Sequence, residues 1–277
     1  MKGFPGDCTI VPERERKWNA VQDQHAAARW LGRYMDSFRR GDGTLHPLLE
    51  VKRTHMERVR DNAALISRAL GWDGEMRERA MTAALLHDTG RFPQFARFST
   101  FSDGASVDHG DLGERILREE FPWDSLDGRR FREEYLESVR LHNKKEIPPG
   151  AAPQALPLVR IVRDSDKIDV FRLVRNHVEE GRIRQLLPRI DLEAGHSPEL
   201  VREIRSGGRG SYGNVHSLAD FLLVQLSWAF DLNFPPSFRI LSCEGAFSWI
   251  AGRLPGDSGT AGFIHSVLEH ASAMCAD

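Results

Sequence analysis

The sequence has no appreciable excess of charge of either sign. Its 277 residues contain 38 Lys and Arg against 40 Asp and Glu, which leaves a formal net charge of −2 at pH 7. Binding to a nucleic-acid backbone or an anionic membrane through bulk charge needs a large basic excess or a basic block. We therefore expect neither bulk nucleic-acid binding nor attachment to a membrane surface.

Cysteines and long apolar runs are also scarce. The three cysteines, Cys8, Cys243 and Cys275, are far apart and lack the CxxC spacing typical of zinc and redox sites. The longest nearly apolar stretch, residues 221–230, is well short of the ~20 residues that cross a bilayer. The first residues lack the apolar run of a secretory signal. These absences predict a cytoplasmic protein with no membrane-spanning helix.

Helical periodicity is abundant, whereas the alternation typical of strands is rare, so the sequence predicts an all-α fold. Apolar spacing and Gly or Pro breakers predict helices at about residues 18–39, 47–70, 74–89, 110–120, 129–143, 156–180, 216–232, 236–253 and 262–276. Residues 92–108 are predicted as a long loop and 206–213 as a flexible connection. We expect one continuous domain, with an N-terminal helical extension (1–45), a core (46–180) and C-terminal helices packed on that core (181–277).

Two of the 11 histidines fall on apolar helix faces. Val59, Ala63 and Ile66 follow His55 at steps of four, four and three residues, so His55 lies on the face predicted to be buried. His87 holds the same kind of position in the next predicted helix. A single histidine of this kind is more often a hydrogen-bonded core residue than a ligand, so each needs supporting evidence.

That evidence is an ordered series of imidazoles and carboxylates. The series runs His55, His87-Asp88, His109, His142 and Asp166. Its members are separated by roughly one helix-turn-helix unit, so successive members can return to one point inside a helical bundle, a known place for metal sites. Mixed imidazole and carboxylate ligands suit Fe, Mn, Co, Ni or Zn better than Ca or Mg. We predict a site for one or two divalent transition metals that activate water for hydrolysis.

The segments that carry this series resemble the HD-domain metal-dependent phosphohydrolase superfamily. They are His55, Leu85-Leu86-His87-Asp88-Thr89-Gly90-Arg91-Phe92, Asp108-His109, Leu141-His142-Asn143 and Arg163-Asp164-Ser165-Asp166-Lys167-Ile168-Asp169. The resemblance implies an all-α bundle of the HD-domain type, here with additional N- and C-terminal helices.

The resemblance also implies a ligand set. One metal would be held by His55, His87, Asp88 and Asp166. A second would be held by His109 and His142, with Asp88 bridging the two ions. Asp164 is the alternative to Asp166 as the last ligand in the sequence. Asp166 is favoured because, in the family, this ligand is usually followed by a pattern like Asp166-Lys167-Ile168-Asp169.

Basic residues near the series are candidates for binding phosphate. Arg91, three residues after Asp88, could hold a phosphate group bidentately, and Asp88 and Arg91 are the predicted catalytic residues. Lys144 and Lys145 are weaker candidates for substrate binding. They also stand where relatives that cleave cyclic dinucleotides carry a Gly-Tyr-Pro signature, so specificity for cyclic dinucleotides is less expected.

A row of phenylalanines follows the His-Asp pair. Phe92, Phe95, Phe98 and Phe101 recur every three residues. They could roof the metal site or stack on a base, although burying the predicted loop is the simpler interpretation.

The leading functional prediction is a metal-dependent phosphoric ester hydrolase, of phosphodiesterase or related type. Its substrate would be a small phosphoester, a nucleotide or related metabolite. Two alternatives stay open: a mixed-valence di-iron oxygenase on the same ligands, and a non-catalytic nucleotide sensor. The sequence does not exclude a homo-oligomer.

Overall fold

The computed structural model describes residues 20–126, 128–256 and 259–276. Within these ranges the regular structure is helical, with twelve α-helices, six short 3-10 helices and one isolated β-bridge between Asp191 and Ser217. The predicted all-α class is confirmed. No helix in these ranges is long and apolar enough to span a membrane.

The α-helices are α1 (Ala20–Asp36), α2 (Pro47–Ala69), α3 (Gly74–Leu86), α4 (Arg91–Phe98), α5 (His109–Glu120), α6 (Arg132–Leu141), α7 (Leu156–Glu179), α8 (Pro198–Gly207), α9 (Leu218–Ser227), α10 (Pro235–Cys243), α11 (Ala246–Ala251) and α12 (Ala261–Ala276).

Local signals in the sequence explain where the two central helices begin and end. The His46 side chain accepts a hydrogen bond from the backbone N–H of Leu48 and caps α2, and Pro47 occupies the first turn, where its missing N–H costs nothing. Gly71, with φ of 70°, follows the end of α2. The Asp73 carboxylate then caps α3. These two boundaries set the positions of His55 and His87.

The prediction of a loop over residues 92–108 was wrong in its first half, because α4 occupies residues 91–98. Phenylalanines three residues apart form one face of this helix, and Phe92 and Phe95 are buried. Pro93 lies in the first turn, where proline is tolerated. Pro93 therefore marks the beginning of a helix and not a loop.

Two C-terminal predictions also need correction. No helix was predicted between residues 180 and 216, yet α8 begins at Pro198 and buries Leu200 and Ile204 one helical turn apart. The single helix predicted for residues 236–253 is two helices, α10 and α11. They are separated at Gly245, whose φ of 66° interrupts the helical backbone.

The site-bearing helices pack directly on one another. Helix α2 packs against α3 and α7, while α6 packs against α5 and α7. One apolar cluster of buried side chains runs from α1 to α12 and surrounds these contacts. The inward faces of α2, α3, α6 and α7 therefore meet inside the bundle.

Two glycines allow α5 to approach its neighbours. A Cβ atom on Gly90 would lie 2.2 Å from the carbonyl oxygen of His109, and one on Gly110 would lie 2.9 Å from the carbonyl oxygen of Arg140. Real Cβ atoms do not come this close to backbone oxygens. The absence of side chains at these positions lets the beginning of α5, and with it His109, lie against the end of α6.

Candidate metal centre

The residues of the predicted ligand series converge on Asp88. His87 and Asp88 directly follow α3, His109 is the first residue of α5, and His142 directly follows α6. His55 projects from the middle of α2 and Asp166 from the middle of α7. Thus each imidazole and carboxylate comes from a different helix or helix end, apart from the adjacent His87 and Asp88.

One carboxylate oxygen of Asp88 faces the first half of the series. The Asp88 Oδ2 atom lies 3.5 Å from Nε2 of His55 and 3.5 Å from Nε2 of His87. Asp166 Oδ1 lies 3.1 and 3.8 Å from the same two nitrogens. His55, His87 and Asp166 are therefore close enough together to hold one metal ion.

The other carboxylate oxygen of Asp88 faces the second half. Asp88 Oδ1 lies 3.3 Å from Nε2 of His109 and 3.7 Å from Nε2 of His142, and these two nitrogens are 3.0 Å apart. His87, Asp88 and His142 form a second group within metal-binding distance. The two oxygens of one carboxylate thus point to two ligand groups, as a carboxylate bridging two ions requires.

The hydrogen bonds of the imidazoles determine which ring nitrogen is free to bind a metal. Nδ1 of His87 lies 2.7 Å from the Ala84 carbonyl oxygen, and Nδ1 of His142 lies 2.6 Å from that of Val139. A carbonyl oxygen only accepts hydrogen bonds, so both Nδ1 atoms carry the proton and Nε2 of the neutral ring keeps its lone pair. Burial lowers the pKa of His87 to about 3 and also lowers the pKa of His142. Both rings are therefore neutral.

The resulting arrangement fits a cation. The Nε2 lone pairs of His87 and His142 face oxygens of the Asp88 carboxylate, and both kinds of atom are acceptors. Among the described residues, the buried Nε2 atoms of His55 and His87 have no hydrogen-bond partner, which is costly for a polar atom. Divalent transition metals satisfy such a set of nitrogen and oxygen donors.

Two further carboxylates orient the histidines. Asp169 Oδ2 lies 2.7 Å from Nδ1 of His55, and Asp103 Oδ2 lies 2.7 Å from Nδ1 of His109. Arg58 holds Asp169 in turn. Carboxylates behind metal-binding histidines fix the ring orientation and make the imidazole a stronger donor.

Two cations flank Asp88. Lys52 Nζ lies 2.7 Å from Asp88 Oδ2, and Arg91 Nε lies 3.5 Å from Asp88 Oδ1. Burial alone would raise the pKa of Asp88, but the Lys52 ammonium group lowers it well below its ordinary value. The carboxylate is therefore ionised, and positive charge is available on both sides of it.

Among the residues that flank the ligand series, Lys52 and Asp103 were missed by the sequence analysis, and Asp169 entered only as part of a pattern. Lys52 precedes His55 by three residues and Asp169 follows Asp166 by three, so helical spacing could have placed both on ligand-bearing faces. Asp103 lies in a short 3-10 helix between α4 and α5. No periodic signal marks that position.

The remaining predicted residues lie in different surroundings. Lys144 pairs with Asp108 and Asp111, and Lys145 pairs with Glu203, so the structure does not bring their ammonium groups to Asp88. Asp164 accepts hydrogen bonds from the Asn233 and Phe234 backbone and from the Ser237 hydroxyl. Of the two alternatives for the late ligand, Asp166 is the one that lies with His55 and His87.

The phenylalanine row divides between the core and the site. Phe92 and Phe95 are buried, whereas Phe98 is 36% exposed. The Phe101 ring lies 5.7 Å from Lys52 Nζ and 5.8 Å from the Arg91 guanidinium carbon. Phe101 is thus the member of the row that lies beside the cations.

Comparison with known proteins locates one family in the chain. Residues 53–171 match the family model described as HD domain. This range contains every residue of the predicted ligand series. Searches of curated proteins and of solved structures gave no match.

Proposed function

We propose that the protein is a metal-dependent phosphohydrolase, a proposal that starts from the match of residues 53–171 to the HD domain family model. Its substrate would be a small phosphoester, a nucleotide or related metabolite. The observation that carries the proposal is the convergence of four imidazole Nε2 atoms on the two oxygens of one buried carboxylate, Asp88. Such an arrangement is unfavourable unless a cation lies between the acceptors.

The ligand assignment follows from the two oxygens of Asp88. His55, His87 and Asp166 lie on the Oδ2 side, and His109 and His142 lie on the Oδ1 side. Bound divalent ions, of Fe, Mn, Co, Ni or Zn, would supply Lewis acidity and a water nucleophile at neutral pH. The Asp166 side chain is 26% exposed while Asp88 is buried, so substrate would enter on the Asp166 side.

Lys52 and Arg91 would bind the substrate phosphate. Their side chains are mostly buried and lie on opposite sides of Asp88. Arg91 is held in place because its Nη1 donates to the Phe101 carbonyl oxygen and to Asp103. A cation held at a fixed position stabilises the charge that develops on phosphoryl oxygens during hydrolysis.

The proposal is tested by metal content and product release. We expect the purified protein to contain a divalent transition metal and to release phosphate, or a phosphorylated product, from members of a panel of phosphoesters. His87→Ala and Asp88→Ala each remove a buried ligand, so both variants should lose most of the metal and the activity.

The matched control is His265→Ala. His265 is exposed and pairs only with Glu269 among the described residues, so this variant should keep both properties. Metal-loaded wild-type protein that consumes oxygen without releasing phosphate would contradict the proposal in favour of an oxygenase. Tight nucleotide binding without turnover would contradict it in favour of a sensor.

A further inference from the structure

A buried arginine holds the backbone around His142. Arg163, on α7, is 2% exposed, and its Nη1 donates at 3.0, 3.1 and 2.6 Å to the carbonyl oxygens of Leu141, His142 and Lys144. Helix α6 ends at Leu141, and the last carbonyl groups of a helix have no partner inside the helix. One guanidinium group therefore fixes the end of α6 at the point where His142 leaves it.

The orientation of the His142 ring depends on this backbone. Nδ1 of His142 lies 2.6 Å from the carbonyl oxygen of Val139, which belongs to the same helix. By contrast, Nδ1 of His55 and Nδ1 of His109 each lie 2.7 Å from a carboxylate oxygen of a different element. The direction in which His142 presents Nε2 is thus set by the end of α6, which Arg163 holds.

Asp231 holds Arg163 in turn. Asp231 Oδ2 accepts a hydrogen bond from Arg163 Nη2 at 2.6 Å and lies 2.7 Å from Lys167 Nζ. Asp231 is the last residue of the short 3-10 helix Trp228–Asp231, which follows α9. Because an unpaired charge is costly to bury, a buried guanidinium group needs such a carboxylate. The position of Arg163 therefore depends on the C-terminal part of the chain.

A second cation joins the same carboxylate to the segment after His142. Arg209 Nη1 lies 3.0 Å from Asp231 Oδ1 and donates to the Lys145 carbonyl oxygen at 2.8 Å. The predicted flexible connection over residues 206–213 is thus held by side-chain hydrogen bonds. Each oxygen of Asp231 faces an arginine that also binds the backbone close to His142.

We propose that Arg163 is a positioning residue for the metal centre, and that Asp231 fixes it in place. Arg163 holds the end of α6 so that Nε2 of His142 faces Asp88 Oδ1, which lies 3.7 Å away. The HD-domain match ends at residue 171, so a residue beyond it helps to build the ligand group inside it. The inference rests on the proposed function for the metal ligands and on no particular substrate.

Arg163→Lys tests the proposal without leaving a buried charge unpaired. Lysine keeps a positive charge for Asp231, but one ammonium group does not reproduce the planar fork that reaches carbonyl oxygens and a carboxylate together. Loss of a group that orients a metal ligand typically weakens metal binding about 10- to 100-fold. We expect Mn²⁺ binding that involves His142 to weaken about tenfold, as measured by calorimetry.

The His142→Ala background separates positioning from general damage. This substitution removes the ligand on which Arg163 acts and leaves the group formed by His55, His87 and Asp166. In this background Arg163→Lys should leave the remaining Mn²⁺ affinity unchanged, because the two residues act through one contact. An equal loss of Mn²⁺ affinity in both backgrounds would show a merely structural role and contradict the proposal.

Asp231→Asn tests the link to the C-terminal part of the chain. It removes the negative charge that holds Arg163, so it should also weaken Mn²⁺ binding through His142. The matched control is Asp220→Asn, because Asp220 is a buried aspartate of the same part of the chain that accepts hydrogen bonds from Ser197 and Ser217. It should lower stability and keep the affinity for Mn²⁺. Equal losses of affinity in the two variants would overturn the role of Asp231.

The outcomes distinguish this inference from the proposed function. Unchanged Mn²⁺ affinity in Arg163→Lys would overturn the role of Arg163 and leave the hydrolase proposal standing. The expected losses of Mn²⁺ affinity, together with a wild type that hydrolyses no phosphoester, would support the inference and overturn the hydrolase. A wild type that binds no Mn²⁺ and hydrolyses no phosphoester would overturn both.

Discussion

The groups that contact Nδ1 of each histidine at this site determine how its ring is oriented and which ring nitrogen faces Asp88. Each imidazole has its Nδ1 atom engaged, by backbone carbonyl oxygens for His87 and His142 and by carboxylates for His55 and His109. The Nε2 atoms are therefore presented to Asp88 before any metal binds. Such preorganisation reduces the reorganisation needed when a ligand set closes on an ion.

Asp169→Asn should weaken metal binding without removing a ligand. The substitution keeps the shape of the side chain but removes the negative charge that faces Nδ1 of His55 and the Arg58 guanidinium. Loss of a carboxylate behind a metal-binding histidine typically lowers affinity by about 10- to 100-fold. We expect a loss of this size in Mn²⁺ affinity, measured by competition with a chelator of known affinity.

Asp61→Asn is the control, because Asp61 lies on the exposed face of α2, the helix that carries His55, and pairs with Arg60. It should leave the affinity for Mn²⁺ unchanged. Equal affinities in Asp169→Asn and the wild type would show that the carboxylate has no part in metal binding.

At the scale of the element, helices with strong capping and apolar spacing were predictable. The bounds of α2 and α7 agree with the predicted ranges to within a residue or two, because Pro47, Gly71 and the apolar faces mark them. Helix α4 was missed because it is only eight residues long and contains a proline. The split between α10 and α11 depends on a single glycine with positive φ, and a sequence does not reveal which glycines adopt that conformation.

The residues of the site were also only partly predictable from the sequence. Spacing placed His55 and His87 on apolar faces, and the ordered series of imidazoles and carboxylates added His109, His142 and Asp166. The cation Arg91 was predictable because it is close in sequence to the His-Asp pair. Lys52 was not predicted, because it contacts Asp88 although the two residues are 36 positions apart in the sequence. Contacts between distant segments depend on packing, which periodicity alone does not describe.

Gly110→Ala should disturb the contact between α5 and α6. The added Cβ would lie 2.4 Å from Asn143 Oδ1 and 2.9 Å from the Arg140 carbonyl oxygen. Overpacking of this kind typically lowers the free energy of unfolding by about 1–3 kcal/mol, which denaturant titration would measure. Because His109 precedes Gly110 and His142 precedes Asn143, the variant should also weaken metal binding on the Oδ1 side of Asp88.

The control for this variant is Gly32→Ala on α1. A Cβ atom there meets no atom within 4 Å, so the substitution should raise helix stability by about 0.5–1 kcal/mol, as is typical of an alanine that replaces a glycine inside a helix. A Gly110→Ala variant that is as stable as the wild type would mean that the two helices do not pack as closely as described.

For the whole molecule, the centre combines several negative charges inside one apolar cluster. Asp88, Asp103, Asp166 and Asp169 contribute four carboxylates around the site, against the three cations Lys52, Arg58 and Arg91. Burial lowers the pKa of His87 and of His142, so these two imidazoles add no positive charge to this balance. Because α2, α3, α6 and α7 all contribute to the site, a bound cation would join elements across the bundle.

Metal removal should therefore lower the thermal stability of the whole domain. A ligand that binds the folded chain alone stabilises it by about 2.7 kcal/mol at a concentration of 100 Kd. For a domain of this size, each kcal/mol raises Tm by about 2–4 °C. We expect treatment with EDTA to lower Tm by about 5–10 °C, and Mn²⁺ in excess of the chelator to restore it, as measured by calorimetry.

The variants tested for metal content decide whether this shift comes from the described site. His87→Ala should have a Tm that no longer depends on Mn²⁺, because the variant lacks a ligand shared by both metal-binding groups. His265→Ala should keep the full shift. A wild-type Tm that is insensitive to both EDTA and Mn²⁺ would show that the convergence on Asp88 does not bind metal strongly enough to stabilise the fold.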